Sequence, residues 1–343
     1  MESNISDSNI SAKAAEPKES YYLKHAWTLG RAAVGLALLA ALLYWQSIDL
    51  HALSALRDES WWLVAAGALI LSTLPIGALR WGIVLRALDI ALPLVPVFHI
   101  QCIATFFNQL LLGPTSGDAI RGVYAWRMLR HGGGRIAISI IVDRALGLLA
   151  LFIVAFLLIP LRWHQVQQVP QLRLLAISLA AAVGAGLAGC IILLAAPELV
   201  SWLRSRLRRF PRVVQLTDRA QHLFVAFRHR PSALLAAFCL AVLGQCATLL
   251  AFLVIAGSLH IGTLTFSDYS IAAPLALVAN TLPFTPGGLG VGEAAFAQLC
   301  RWLETISSAA PYASVFFAFR AVSMVTLLLG LVSFVVHRRP SAT

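Results

Sequence analysis

The feature that most constrains this chain is a series of long apolar stretches separated by arginine-rich loops. A helix needs about 20 apolar residues to cross the ~30 Å hydrocarbon core of a bilayer. Residues 28–46, 61–79, 136–159, 172–196, 233–256 and 312–336 meet or nearly meet that length. Composition agrees: 59% of the 343 residues are apolar, 12% are charged, and the mean hydropathy is +0.81. A soluble domain carries about 45–50% and about 25%. A soluble enzyme, a disordered chain and a fibrous repeat are therefore excluded, and an all-α integral membrane protein is expected. The net charge of +11 would suggest nucleic acid in a soluble protein. Here it fits cytosolic loops facing anionic headgroups, so no nucleic-acid partner is expected.

Two further apolar segments are interrupted. Residues 95–112 carry Asn108 and run into Gly113-Pro114-Thr115-Ser116-Gly117-Asp118. Residues 271–279 run into Asn280-Thr281-Leu282-Pro283-Phe284-Thr285-Pro286-Gly287-Gly288, with a second apolar half up to Leu299. The excess of Lys and Arg on cytosolic loops tells crossings from re-entrant hairpins. If all eight segments cross, the best orientation leaves 14 basic residues inside and 10 outside. If the two broken segments enter and leave on the same side, 20 lie inside and 4 outside. The re-entrant arrangement is therefore expected, with both termini cytosolic. It has a built-in symmetry: three spans and one broken hairpin per half, each half the other turned upside down. Such inverted repeats with broken helices at mid-membrane are a transporter architecture. The expected halves are 28–159 and 172–336, with a basic amphipathic cytosolic loop at 197–232 that can lie on an anionic leaflet. Residues 1–27 read as a polar, disordered cytosolic tail and 337–343 as a second tail. A repeated spacing supports the two halves: Asn108-x-Leu110-x-x-x-Pro114 against Asn280-x-Leu282-x-x-x-Pro286.

Unpaired backbone at membrane depth is tolerated only where protein or water satisfies it. The breaks at Asn108, Pro114, Gly117, Asn280, Pro283, Pro286, Gly287, Gly288 and Gly290 therefore point to a polar cavity. Close helix packing through small residues is the alternative. The breaks also place helix N-termini near Asp118 and Gly290, where free amides attract anions such as phosphate. Charged residues inside the membrane are costly and need a partner or a task. Asp143, Arg144, Glu293 and Arg320 are of this kind, and Asp118 and Arg121 follow the first break. Three apart on a helix, the latter two can pair directly. Arg144, Arg320 and Glu293 are expected to line one cavity that takes a lipid headgroup. Arg80 and Arg86, at the end of a span, fit snorkelling to headgroups. The five cysteines read as packing thiols, the nine histidines show no metal-ligand spacing, and no nucleophile–base set is present. Neither a metal, a cofactor nor an enzymatic activity is expected.

The stretch from Asn280 to Glu293 resembles the late "LP-x-x-PGG-x-G-x-x-E" signature of the lysylphosphatidylglycerol synthase transmembrane-domain family, also called the UPF0104 group. Leu79-Arg80-Trp81, Pro114 to Arg121, Asp143-Arg144-x-x-Gly147-Leu148 and Phe319-Arg320 with Gly330 are similar to its other motifs, with Ser116 where a glycine is usual. The resemblance implies a bacterial inner-membrane protein of the flippase-like kind, acting on an anionic or phosphate-bearing lipid. Its bifunctional members carry a soluble synthase domain after this region, and seven residues after the last span leave no room for one, so a stand-alone member is expected. An accessory subunit for a lipid-modifying enzyme or glycosyltransferase of a hopanoid or polyprenyl-linked pathway is the alternative reading.

Overall fold

The computed structural model describes residues 60–110, 114–130, 132–195, 230–259, 261–281, 285, 288–304 and 310–336. The expected first span at 28–46, both tails and nearly all of the basic loop lie outside the described residues. Among those described, every regular element is helical: α1 (Ser60–Ala87), α2 (Leu94–Leu110), α3 (Pro114–Leu129), α4 (Gly133–Leu158), α5 (Trp163–Gln168), α6 (Pro170–Ala195), α7 (Pro231–Leu259), α8 (Phe266–Asn280), α9 (Val291–Leu303), α10 (Ala313–Ser323) and α11 (Val325–Val336). Five candidate spans satisfy the length and hydropathy of a membrane crossing: α1, α4 with its continuation to Gln168, α6, α7, and α10 with α11. They coincide with the five expected stretches that fall on described residues.

The two interrupted segments each form a pair of short helices. α2, α3, α8 and α9 have 17, 16, 15 and 13 residues. At 1.5 Å per residue none reaches the ~30 Å of a bilayer core. α2 packs on α3 and α8 packs on α9, which makes two helical hairpins. One boundary differs from expectation. α3 begins at Pro114, so Asp118 lies in its second turn rather than at its start. A proline suits the first helical position, because its missing N–H has no intrahelical partner there. α9 begins just after Gly290, as expected.

The most extensive helix pair is α1 with α7. Small residues let these backbones approach, the packing mode that works without a hydrophobic drive between helices in lipid. Ala237 and Ala241 are fully buried on α7, and a Cβ at Gly244 would stand 3.5 Å from Ile76 of α1. Around this pair, α2 packs on α11 and α8 packs on α4. Gln109 Nε2 donates to Thr326 Oγ1 at 2.7 Å, and Gly330 admits Phe106 where a Cβ would collide with it. At the other end, Asp268 closes a capping box with Thr265 at the start of α8 and takes Arg162 at 2.7 Å from the turn after α4. The hairpins are thus clamped against helices of the opposite half of the sequence.

Candidate functional site

The first hairpin holds its break open with side chains. Asn108 Oδ1 accepts the Gly117 N–H at 2.8 Å, and Ser116 Oγ donates to the Phe107 carbonyl at 3.1 Å. A Cβ at Gly117 would run into the Ala104 carbonyl and the Asn108 amide, so this close approach needs glycine. Behind the hairpin lies a buried charge cluster. Asp143, 1% exposed, takes Arg80 through two bonds of 2.6 and 3.1 Å and Arg121 through one of 2.9 Å. Arg121 also donates to Gln101 and stands 4.7 Å over the Trp81 ring, whose Nε1 donates to Ser139 at 3.1 Å. Arg144 reaches across from α4 to Asp118 of α3, and its side chain is 43% exposed.

These groups line a cavity of about 440 Å³, walled also by Asn108, Gln245 and Thr281. Gln245 Nε2 donates to the Gly147 carbonyl at 3.1 Å. The cavity holds the guanidinium groups of Arg80, Arg121 and Arg144 against the carboxylates of Asp118 and Asp143. One positive charge is left in excess. Arg121 and Asp118 do lie within reach on α3, at 3.9 Å, but the shorter bond of Arg121 goes to Asp143.

The second hairpin is joined to its following helix by one ion pair. In the first, the returning arm supplies both Arg121, which meets Asp143, and Asp118, which meets Arg144. In the second, Glu293 sits on the arm α9 and Arg320 on α10. They join through bonds of 2.6 and 3.3 Å, with Glu293 fully buried. Arg320 Nη2 further donates to Asn280 Oδ1 at 3.0 Å and to the Gly288 carbonyl at 3.1 Å. Gly288 has φ +70°, and a Cβ there would collide with Asn280. Arg320 lines a separate cavity of about 240 Å³ with Asn108, Gln109, Asn280, Leu289 and Phe316 among its walls.

Arg144, Arg320 and Glu293 therefore do not line one cavity. Arg144 lines the larger and Arg320 the smaller, and Glu293 is fully buried against Arg320. The helix N-termini also differ from expectation. Glu293 accepts the Gly290 N–H at 3.0 Å, and Asn108 already occupies the Gly117 N–H. Carboxylate and amide fill these positions because an unpaired N–H at depth is expensive. Asp143 accepts from two arginines, Arg80 and Arg121. Pro283, Pro286 and Gly287 lie outside the described residues. Arg80, Gln101 and Gln245 are cavity residues that sequence reasoning passed over. The two glutamines carried a signal, since an amide inside an apolar stretch seeks a partner across helices. Arg80 had none beyond its motif, and snorkelling accounted for it too cheaply; Arg86, one and a half turns on, does face outward.

No curated protein and no solved structure matches the chain. The family model described as "Lysylphosphatidylglycerol synthase TM region" matches residues 32–330. The matched range contains both hairpins, both cavities and all five described candidate spans except the last residues of α11. The chain is thus a multi-pass membrane protein that belongs to the lysylphosphatidylglycerol synthase transmembrane-region family.

Proposed function

We propose that the protein is a non-catalytic inner-membrane translocase, or lipid-binding transporter, for an anionic phospholipid or a phosphate-bearing lipid intermediate. The observation that carries this reading is the larger cavity: three guanidinium groups against two carboxylates, at the break of a hairpin too short to cross. Guanidinium holds phosphate through two parallel bonds and keeps its charge when buried. Asp143 spreads Arg80 and Arg121 at fixed geometry, while half-exposed Arg144 supplies the group that can turn from Asp118 to a ligand.

The reading includes an inverted repeat of three spans and one hairpin per half, six spans in all, with both termini cytosolic. Helix packing supports it. The order span, hairpin, span occurs as α1, α2–α3, α4 and again as α7, α8–α9, α10–α11. The pairs α1–α2, α2–α11 and α3–α4 have their counterparts in α7–α8, α8–α4 and α9–α10. The family adds weight, since it is named for the membrane region of lysylphosphatidylglycerol synthase.

The test is lipid binding by the purified protein in neutral detergent, read by native mass spectrometry. Phosphatidylglycerol and an isoprenyl phosphate should be retained over a zwitterionic lipid and over diacylglycerol. Arg144→Ala should lose that preference while the protein stays folded. Equal retention of diacylglycerol and the anionic lipids would contradict the headgroup reading and favour an accessory subunit.

A further inference from the structure

Asn108 is the one residue that lines both cavities among the described residues. On one side of it lie Arg144, Asp118 and Thr281; on the other lie Arg320, Asn280 and Ser323. Its amide is held from behind, since Oδ1 accepts the Gly117 N–H at 2.8 Å and no Cβ fits at Gly117. Asn280 has the equivalent place in the repeated Asn-x-Leu-x-x-x-Pro spacing, with its Oδ1 held by a guanidinium in place of a glycine N–H. It accepts Arg320 at 3.0 Å and packs where a Cβ at Gly288 or Gly292 would collide with it. Two glycine-backed amides thus line the smaller cavity, and that of Asn108 also borders the larger one.

We infer that the Asn108 side chain is the partition between the two cavities, and that a phosphate-bearing headgroup passes from one to the other only by displacing it. This rests on reading the cavities as one headgroup path. An amide suits the task. It carries no charge, so it does not trap the phosphate as an arginine would. It both donates and accepts, so its bond to Gly117 can be exchanged for one to a passing headgroup. The amide is also short, so moving it leaves α2 and α3 in place. The smaller cavity, about 240 Å³, sets the size of headgroup that can complete the passage.

Thiol accessibility tests the partition without any lipid substrate. In a background with the five native cysteines replaced, single cysteines are introduced as Thr281→Cys in the larger cavity and Ser323→Cys in the smaller. A membrane-impermeant maleimide is then applied to intact cells and to inside-out vesicles. Each position should label from one face only, and the two from opposite faces. Adding Asn108→Ala should raise labelling from the closed face by about tenfold, the change that about 1.4 kcal/mol of lost barrier gives. Asn108→Ser keeps a hydroxyl near the Gly117 amide and removes the amide bulk, and serves if the alanine variant does not reach the membrane. One-sided labelling that survives both variants, or labelling of both positions from the same face in the parent, would overturn the partition. A protein that labels as expected but retains diacylglycerol as well as anionic lipid contradicts the headgroup reading and leaves the partition standing.

Discussion

At the scale of single residues, burial separates the arginines whose carboxylate partners are buried from Arg144, whose pair with Asp118 is partly exposed. Glu293 is fully buried and joined to Arg320. Removing one partner of a buried pair costs about 3–5 kcal/mol, because the other charge is stranded. Arg320→Ala should therefore lower the melting temperature and the yield of membrane-inserted protein. Arg320→Ala combined with Glu293→Gln should recover much of both, measured by fluorescence-detected size-exclusion after heating. Full stability in the single variant would show that the pair is not structural. Arg144 is the opposite case. Its pair with Asp118 is 43% and 18% exposed, and exposed pairs contribute about 0–1 kcal/mol. Arg144→Ala should leave the melting temperature nearly unchanged while abolishing preference for anionic lipid. The sequence marked both arginines as unusual for their depth, but it could not sort them. What distinguishes them is which carboxylate lies within 3 Å and whether water reaches the site, and both depend on packing between helices far apart in the chain. Arg80 shows the same gap: its carboxylate, Asp143, is 63 residues away.

At the scale of elements, the helices were readable because a span is written in consecutive apolar residues, and the breaks because Pro and Gly interrupt them. The cavity walls were harder, since they are set by how closely two arms approach. Gly117 and Gly288 are the places where that approach leaves no room. Gly288→Ala should be costly, because φ +70° is left-handed backbone, worth roughly 1–2 kcal/mol against a residue with a Cβ, and the methyl group would meet Asn280. Gly67→Ala in α1 is the control: nothing lies within 4 Å of its Cβ, and alanine is favoured over glycine in a helix by roughly 1 kcal/mol. Thermal denaturation in detergent should show Gly288→Ala well below the parent and Gly67→Ala at or above it. Equal melting temperatures for the two variants would contradict the tight hairpin.

For the whole molecule, the account combines two half-chains whose hairpins are clamped by helices of the other half, with an excess positive charge held in the larger cavity between them. The basic residues give an expected sidedness for such an arrangement, because topology follows loop charge summed over the chain. The division into two cavities was not written there, since it arises at Asn108, which only the packing of helices far apart in the chain sets in the wall of both. The most direct test of the central claim is transbilayer movement in proteoliposomes, using phosphatidylglycerol labelled on one acyl chain and a membrane-impermeant quencher outside. The account predicts that vesicles holding the protein lose more than the outer-leaflet half of the fluorescence, and that Arg144→Ala vesicles lose only that half. It also predicts that label on diacylglycerol, corrected for its spontaneous flip in protein-free vesicles, gains nothing from the protein. Movement of phosphatidylglycerol at the same rate with the parent, with Arg144→Ala and with no protein would contradict it.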